Sequence, residues 1–585
     1  MCAVAGRRSD AAGEALAQGE SDSAAERLTT DETRPAGQAE RAGRRRIPRW
    51  AWLGGLAAVA VALFLCYLRL ADTFPAGPDG ADQSLQAWDM LHGNWLLRGW
   101  TVGDVSYYTT EIPEYMLIEV FRGLGPTVMH IAGALTYTLL VLLAGLLAKG
   151  RATGRDGVVR ALVAAGIMLA PQLGNGIHLL LSQPDHLGTQ VPLLFIFIVI
   201  DRAPRRWYVP VAVLVMLAWV VVADQVAVFD AALPLAAVCG ARAVWAFVRD
   251  RKPLAAQWYE LSLAAAGLAS LGAATVVVDV IQRLGGYSVL PLVTNHVPLH
   301  LLAKHVVLTM EGILNIYGAD FIGISPGSLS GPASGGLSPG VAAAVAIVHL
   351  AGVALALWGV CRAFRRFFWA SDLIAPVLAA GIVLNMAAYI FSGRPVNLFD
   401  TREILAVLPF GAVLAGRLVA GSLIRARLEP VLAVVLACYA FALGWGAAQP
   451  AARDKEEPVI SWLEAHHLRT GLGTYTEANL ITLDSGGRVA VRTASWHPSG
   501  AVPRAYESAA SWYDPKVSYA NFIISNSADL VGASEVSVVP YRDILAFAGP
   551  PARTYHYKTF TIMVWNKNLL SDLGSPPSIY PGNIP

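Results

Sequence analysis

Apolar residues occur along this chain in long runs, not in the short alternating patches of a water-soluble domain. Runs of about 18 or more residues, each able to cross a bilayer as a helix, recur between residues 50 and 449. They predict eleven spans, at 50–71, 126–148, 159–181, 188–201, 207–223, 226–247, 257–281, 339–361, 373–391, 403–421 and 430–449. The fourth is short, and the pair over 207–247 divides in more than one way. Three polar stretches interrupt or follow the runs, at 72–125, 282–338 and 450–585. Residues 1–48 are rich in Ala, Gly, Glu, Arg and Ser without apolar periodicity, and predict a disordered tail.

Lysine and arginine set the orientation. With the N-terminus in the cytoplasm, the inner loops carry Lys149/Arg151/Arg155, Arg202/Arg205/Arg206, Arg249/Arg251/Lys252, Arg362/Arg365/Arg366 and Arg417/Arg425/Arg427. The outer segments carry only scattered basic residues such as Arg98, Arg122, Arg283, Lys304, Arg394 and Arg402. The expectation is a polytopic α-helical protein of the cytoplasmic membrane, with all three polar stretches outside. The last stretch, 450–585, reads as a C-terminal extracytoplasmic α/β domain. Pro458 opens a helix predicted to stop at Gly471. Alternating runs at Arg488–Trp496, Asn521–Ser525, Val536–Pro540 and Tyr555–Trp565 predict strands.

Composition narrows the class. Of 585 residues, 55% are hydrophobic and 15% charged, against about a quarter charged in soluble proteins. A net charge of +2 offers no basic footprint for nucleic acid. Four of the five cysteines (Cys66, Cys239, Cys361, Cys438) fall in predicted spans and Cys2 in the tail, so neither a disulfide nor a cysteine metal site is expected. There is no phosphate-binding Gly-x4-Gly-Lys loop and no His-Glu-x-x-His. The segment 282–338 holds His296, His300, Lys304, His305 and Glu311, and ends in a Gly/Ser/Pro stretch, Ser325–Gly340, that reads as a loop. Its histidines lack zinc spacing and read as interfacial or as part of a carrier-lipid groove.

The chemistry concentrates in 72–125. Asp79, Asp82, Asp89, Asp104, Glu111, Glu114 and Glu119 are interleaved there with Trp88, Trp95, Trp100, Tyr107, Tyr108 and Tyr115. The string Pro78-Asp79-Gly80-Ala81-Asp82-Gln83-Ser84-Leu85-Gln86-Ala87-Trp88 predicts a short amphipathic helix ending near Gly93. Two other strings stand at predicted span mouths: Gln183-Pro184-Asp185-His186, and Ser392-Gly393-Arg394 followed by Thr401-Arg402-Glu403-Ile404-Leu405. These motifs, with the long first outer loop and the C-terminal outer domain, resemble the GT-C type, polyprenyl-phosphate-sugar-dependent membrane glycosyltransferases. That family has an acidic pair at the start of its first outer loop, where this chain has Asp82-Gln83. It has an Arg-Tyr-Leu pattern where this chain has Arg402-Glu403-Ile404.

The resemblance implies transfer of a sugar from a polyprenyl-phosphate donor to a cell-envelope glycan, lipid or protein. Such a transfer needs a base for the acceptor hydroxyl and positive charge for the departing phosphate. Asp82 is the candidate base. Asp104, Glu111 or Glu114 would orient the acceptor. Asp185 and His186 would hold substrate, and Arg394 and Arg402 would hold phosphate through their planar forks. A divalent cation, Mg or Mn, would fall to Asp82 and Asp104. Structural readings stand beside these. Asp82 could cap the helix it begins, and Asp104 could be a solvated loop acid. Glu111 and Glu114 are acids favoured in a first helical turn. Asp185-His186 could be a polar turn, and the arginines could meet lipid headgroups. Aromatic rings suit both a sugar face and a bilayer interface. Asp224 and Asp279 lie near span ends and read as solvated. The rival functions are a transporter, which needs polar residues in mid-membrane where Asn385 is a rare exception, and a scaffold without activity.

Overall fold

The computed structural model describes residues 49–290, 297–320, 339–368, 372–452, 456–497, 500–504, 506–526 and 541–574. The predicted tail 1–48, His296, most of the Ser325–Gly340 loop and the predicted strand Val536–Pro540 lie outside the described residues. The chain divides into two units, Met1–Leu56 and Ala57–Pro585, and the site described below lies wholly in the second.

Among the described residues, nine helices are long and apolar enough to cross a membrane: Leu53–Ala71, Thr127–Lys149, Val228–Val248, Leu254–Arg283, Leu299–Ile316, Ala343–Arg365, Ile374–Phe391, Phe399–Arg425 and Glu429–Ala447. Large apolar side chains point outward from them. Val276 on the fourth is 61% exposed and Val434 on the last 63%. A water-soluble surface would not carry so many, whereas lipid accepts them. The chain is a multi-pass membrane protein.

In chain order the helices are α1 (Arg49–Ala71), α2 (Pro78–Leu91), α3 (Glu111–Arg122), α4 (Thr127–Lys149), α5 (Gly154–Ile167), α6 (Asn175–Leu180), α7 (Asp185–Arg202), α8 (Tyr208–Ala223), α9 (Leu233–Val248), α10 (Trp258–Arg283), α11 (Leu302–Ile316), α12 (Pro339–Arg365) and α13 (Ile374–Phe391). Next come α14 (Val407–Leu414), α15 (Ala420–Arg425) and α16 (Glu429–Ala447), then α17 (Glu457–Ala465), α18 (Tyr475–Asp484) and α19 (Tyr541–Ala548).

Two predicted elements differ from the structure in ways that matter for the site. The span expected at 159–181 is broken into α5 and α6. Pro171 cannot donate to a continuing helix, and Gly174 turns the chain with φ +78°. The short α6 and the turn after it then aim Asp185 inward. The segment 282–338, read as an outer loop, contains α11. Its polar residues His305, Thr309 and Asn315 are buried while Val307 and Met310 face out. That inside-out pattern hides a membrane-type helix behind histidine and lysine.

The strands are β1 (Trp100–Val102), β2 (Ser288–Val289), β3 (Thr470–Gly473), β4 (Ala490–His497), β5 (Gly500–Pro503), β6 (Ser508–Ala509), β7 (Phe522–Asn526), β8 (Arg553–Tyr557) and β9 (Phe560–Val564). Six form the C-terminal sheet in the order β5-β4-β3-β7-β9-β8, with β3 parallel to both β4 and β7. The helix predicted to end at Gly471 ends at Ala465, where His467 takes φ +56° and reverses the chain into β3. The predicted strand Tyr555–Trp565 is the β8–β9 hairpin.

A second sheet, β2-β1-β6, joins all three polar stretches. Thr101 pairs with Ser288 in parallel and Trp100 with Ala509 in antiparallel. Beneath it lies one apolar core. Ala81, Leu85 and Met90 of α2, Ile112 and Tyr115 of α3, and Met129 of α4 meet Leu480 and Leu483 of α18 there. The C-terminal domain is therefore packed into the segment 72–125.

Candidate active site

Pro78 occupies the first turn of α2, where its missing N–H costs nothing. Asp79, Asp82, Gln83 and Gln86 follow at spacings of three, four and seven, which puts them on one face of the helix. Asp82 is buried and lies inside the helix, not at its cap, which is Gly77. Gln86 Nε2 donates to Asp82 Oδ2 at 2.5 Å. Gly80 lets this helix approach α4 and the 183 turn. Its N–H donates to Gln183 Oε1 at 3.0 Å, and a Cβ there would stand 2.9 Å from Met129 Cε.

The facing wall comes from the first turn of α7 and the turn Phe399–Ile404. Arg402 Nη1 donates to Asp79 Oδ2 at 2.6 Å and to Asp185 Oδ2 at 3.2 Å, and its guanidinium lies 4.4 Å over the Phe399 ring. Arg394 pairs with Asp104 and stands 3.7 Å from Glu403 Oε1. His186 Nδ1 is 2.9 Å from Asp224 Oδ2, which also accepts from Thr189 Oγ1 at 2.8 Å. His186 Nε2 faces Glu403 Oε1 at 3.8 Å. Asp224, read from the sequence as solvated, is fully buried because it holds His186. Asp279 is exposed.

Two loops close the arrangement. Tyr107 donates to Asp185 Oδ1, and both residues take left-handed backbone, φ +50° and +41°. Non-glycine residues persist there only where their surroundings impose it, and such strain gathers at functional sites. The third strained residue is Glu507, φ +53°, brought in by the C-terminal domain next to β6. Arg504 Nη2 donates to Glu507 Oε2 at 3.0 Å, and Tyr475 Oη of α18 donates to Asp79 Oδ1 at 3.1 Å.

These groups surround one polar cavity of about 50 Å³, room for a few ordered waters. Asp82, Asp104, Asp185, His186, Arg394 and Arg402 all line it. So do Asp79, Gln83, Gln86, Tyr107, Glu403 and Glu507, which sequence reasoning did not single out as site residues. Glu111 and Glu114 do not line it. Glu111 is buried behind it against Gly188 and Thr189, and Glu114 accepts from Thr136 Oγ1 at 2.7 Å on the α4 side. Of the aromatic residues in the first outer loop, Tyr107 lines the cavity. Trp100 and Tyr115 are core, and Trp100 Nε1 donates to Asp89 Oδ2 at 2.7 Å.

Burial and the neighbouring Glu507 push the Asp82 carboxyl well above the ordinary carboxylate range, against the pull of Gln86 and Arg504. Burial likewise raises Glu507 to about 7, with Arg504 opposing and Asp79 adding to it. Burial also lifts Glu111, Glu114 to about 7 and Glu119 to about 8. Glu119 accepts from Ser84 Oγ at 2.5 Å.

Among solved structures the chain is similar to an oligosaccharyltransferase of Archaeoglobus fulgidus, solved as a complex with Zn and sulfate. The identity is 13% and the TM-score 0.44, covering 88% of this chain and 74% of that one. No protein-family model matches the chain, and no curated protein matches it.

The acids expected to hold a divalent cation, Asp82 and Asp104, are largely engaged by other side chains as arranged. Asp104 is taken by Arg394, Asp79 by Arg402 and Tyr475, and one Asp82 oxygen by Gln86. Among the described residues no group of three or more His, Cys, Asp or Glu side chains could hold a metal ion. The positive charge of the site is arginine.

Some of the missed residues had a signal. The i, i+3, i+4, i+7 spacing of Asp79, Asp82, Gln83 and Gln86 marks a polar helix face in an otherwise apolar core. Asp230 and Gln190 sit within predicted spans and could have been flagged with Asn385. They form a hydrogen-bonded trio, Gln190 Nε2 and Asn385 Nδ2 donating to Asp230 at 2.8 and 2.7 Å. Nothing local distinguishes Glu507.

Proposed function

We propose that this chain is a membrane glycosyltransferase that moves a sugar from a polyprenyl-phosphate donor to a cell-envelope acceptor at the outer membrane face. The observation that carries the reading is the convergence of a buried carboxylate, Asp82, with two guanidinium groups, Arg394 and Arg402, on one cavity. A carboxyl whose pKa burial raises is a stronger base toward a hydroxyl proton than an exposed one. The acceptor oxygen attacks the sugar's C1 while its proton passes to Asp82. The bond from C1 to the phosphate oxygen breaks, and polyprenyl phosphate leaves with the electron pair. Direct displacement inverts the configuration at C1.

Arg394 and Arg402 would exchange their present carboxylate partners for the phosphate, whose charge grows as the bond breaks. Asp104, Asp79 and Asp185 hold those guanidinium groups at the cavity beforehand. His186, fixed by Asp224, would contact substrate through Nε2. Arginine charge replaces metal charge in this scheme.

The test is transfer of label from radiolabelled polyprenyl-phosphate sugars in membranes carrying wild type or Asp82→Asn. Transfer by the wild type that is lost in the variant supports both enzyme class and base. Undiminished transfer in the variant removes Asp82 from that role. No transfer from any donor removes the reading.

A further inference from the structure

The face that α2 turns to the cavity carries more hydrogen-bond acceptors than the protein satisfies. Asp82 Oδ1, Gln83 Oε1 and Gln86 Oε1 are buried without a hydrogen-bond partner. Their residues are 2%, 5% and 3% exposed, and all three line the cavity. Gln86 Nε2 donates to Asp82 Oδ2, which leaves its Oε1 as the unpaired atom. Buried acceptors left unpaired are costly, and each in a native structure asks for a partner.

Glu507 adds another carboxylate on the same cavity. A Cβ at Gly103 would stand 3.2 Å from its Oε1, so the loop after β1 makes room for this side chain. The strained backbone of Glu507 and its ion pair with Arg504 hold the carboxylate there.

The ligand that completes such a wall brings several donors at several points and no negative charge. A phosphate would meet Asp79, Asp82 and Glu507 as like charges, and its partners are Arg394 and Arg402. A single amide offers its donors at one point. A sugar ring offers hydroxyls around its whole edge. Resting on the glycosyltransferase reading above, we propose that the inward face of α2, with Glu507, is the acceptor subsite, and that the acceptor is a sugar residue bearing several free hydroxyls, not a protein side chain.

The experiment feeds membranes carrying the full chain with radiolabelled polyprenyl-phosphate sugars and follows where the label goes. Protease-resistant label is the expected result. After mild acid hydrolysis of unreacted donor, which cleaves its sugar–phosphate bond, label still extracted by chloroform–methanol identifies a glycolipid as the source of the sugar, and label left with the polymer identifies a wall glycan. Label released by protease overturns the proposal and leaves glycosyl transfer standing. Transfer from no donor overturns the underlying reading, and the proposal with it. With octyl glycosides as acceptor probes, Gln83→Leu is expected to raise the glycoside KM about tenfold, the size of one lost hydrogen bond, with the donor KM unchanged. Glu507→Gln, which keeps shape and loses charge, moves the same KM in the same direction. An equal rise in donor KM, or no rise in either variant, overturns the assignment.

Discussion

Helix α7 carries a buried charge cluster at each end, and the two are built in opposite ways. At its far end Asp201 meets Arg417, which also grips Asp372 with Nε and Nη2 at 2.6 and 3.1 Å and donates Nη1 to the Leu147 carbonyl at 2.8 Å. Every guanidinium nitrogen is used. At the near end, about 24 Å away at 1.5 Å per residue, Asp185 belongs to the cavity. There the backbone is strained at Tyr107, Asp185 and Glu507, and three acceptors on α2 have no partner. A cluster that only holds helices together spends most of its hydrogen-bonding capacity inside itself, and here Asp201 Oδ2 is left over. One that awaits a substrate keeps hydrogen-bonding capacity in reserve and needs its surroundings to hold it open.

The largest expected effect separates the two ends directly. Asp82→Asn removes the proton-accepting carboxyl without changing shape, and transfer should fall roughly 100- to 10,000-fold, the range of a lost general base. The thermal midpoint should hold or rise, because a buried carboxyl has gone. A large drop in the midpoint would make Asp82 structural. Arg417→Met should do the reverse. It strands Asp201, 9% exposed, and the partly exposed Asp372, at a cost of up to about 3–5 kcal/mol. The check is thermal unfolding in detergent, with transfer per folded molecule retained. Normal stability would mean the inner cluster is not the fastening it resembles.

A middle-sized effect is expected at Gly80. An added methyl would press on Met129 Cε and Gln183 Oε1, which lies at 2.8 Å. Gly80→Ala should cost about 1–3 kcal/mol and tilt the α2 wall, lowering stability and transfer together. Loss of only one of the two would separate packing from alignment.

The smallest effect is a pH dependence. Burial raises Glu119 to about 8 in the folded protein. The folded state then binds a proton that the unfolded state has lost, so this contribution is full below pH ~4.5 and fades as pH rises through about 8. Glu119→Gln should match wild type near pH 5 and exceed it in thermal midpoint near pH 8.5. Parallel profiles for the two proteins would count against a buried, protonated Glu119.

Much of this was written in residue order. Long apolar runs mark membrane helices because a bilayer demands about twenty consecutive apolar residues and no partner segment decides that. The acid-rich first loop stood out for a similar reason, since eight carboxylates beside a membrane need solvent, partners or work. Where the reading slipped, tertiary contacts had overruled local pattern. In α11, His305, Thr309 and Asn315 turn inward and the apolar side faces out, so the polar content hid a helix. Asp224 looked solvated because its partner, His186, lies 38 residues away.

By itself the sequence determined the membrane class and the candidate acids and arginines, because hydropathy and charge are properties of short segments. Only the tertiary structure decided which of them meet. It placed Asp82 with Arg394 and Arg402 but left Glu111 and Glu114 behind the wall. It also brought Glu507 into the cavity from more than 400 positions downstream of Asp82. A cavity is an agreement among distant segments, and no periodicity within any one of them records it.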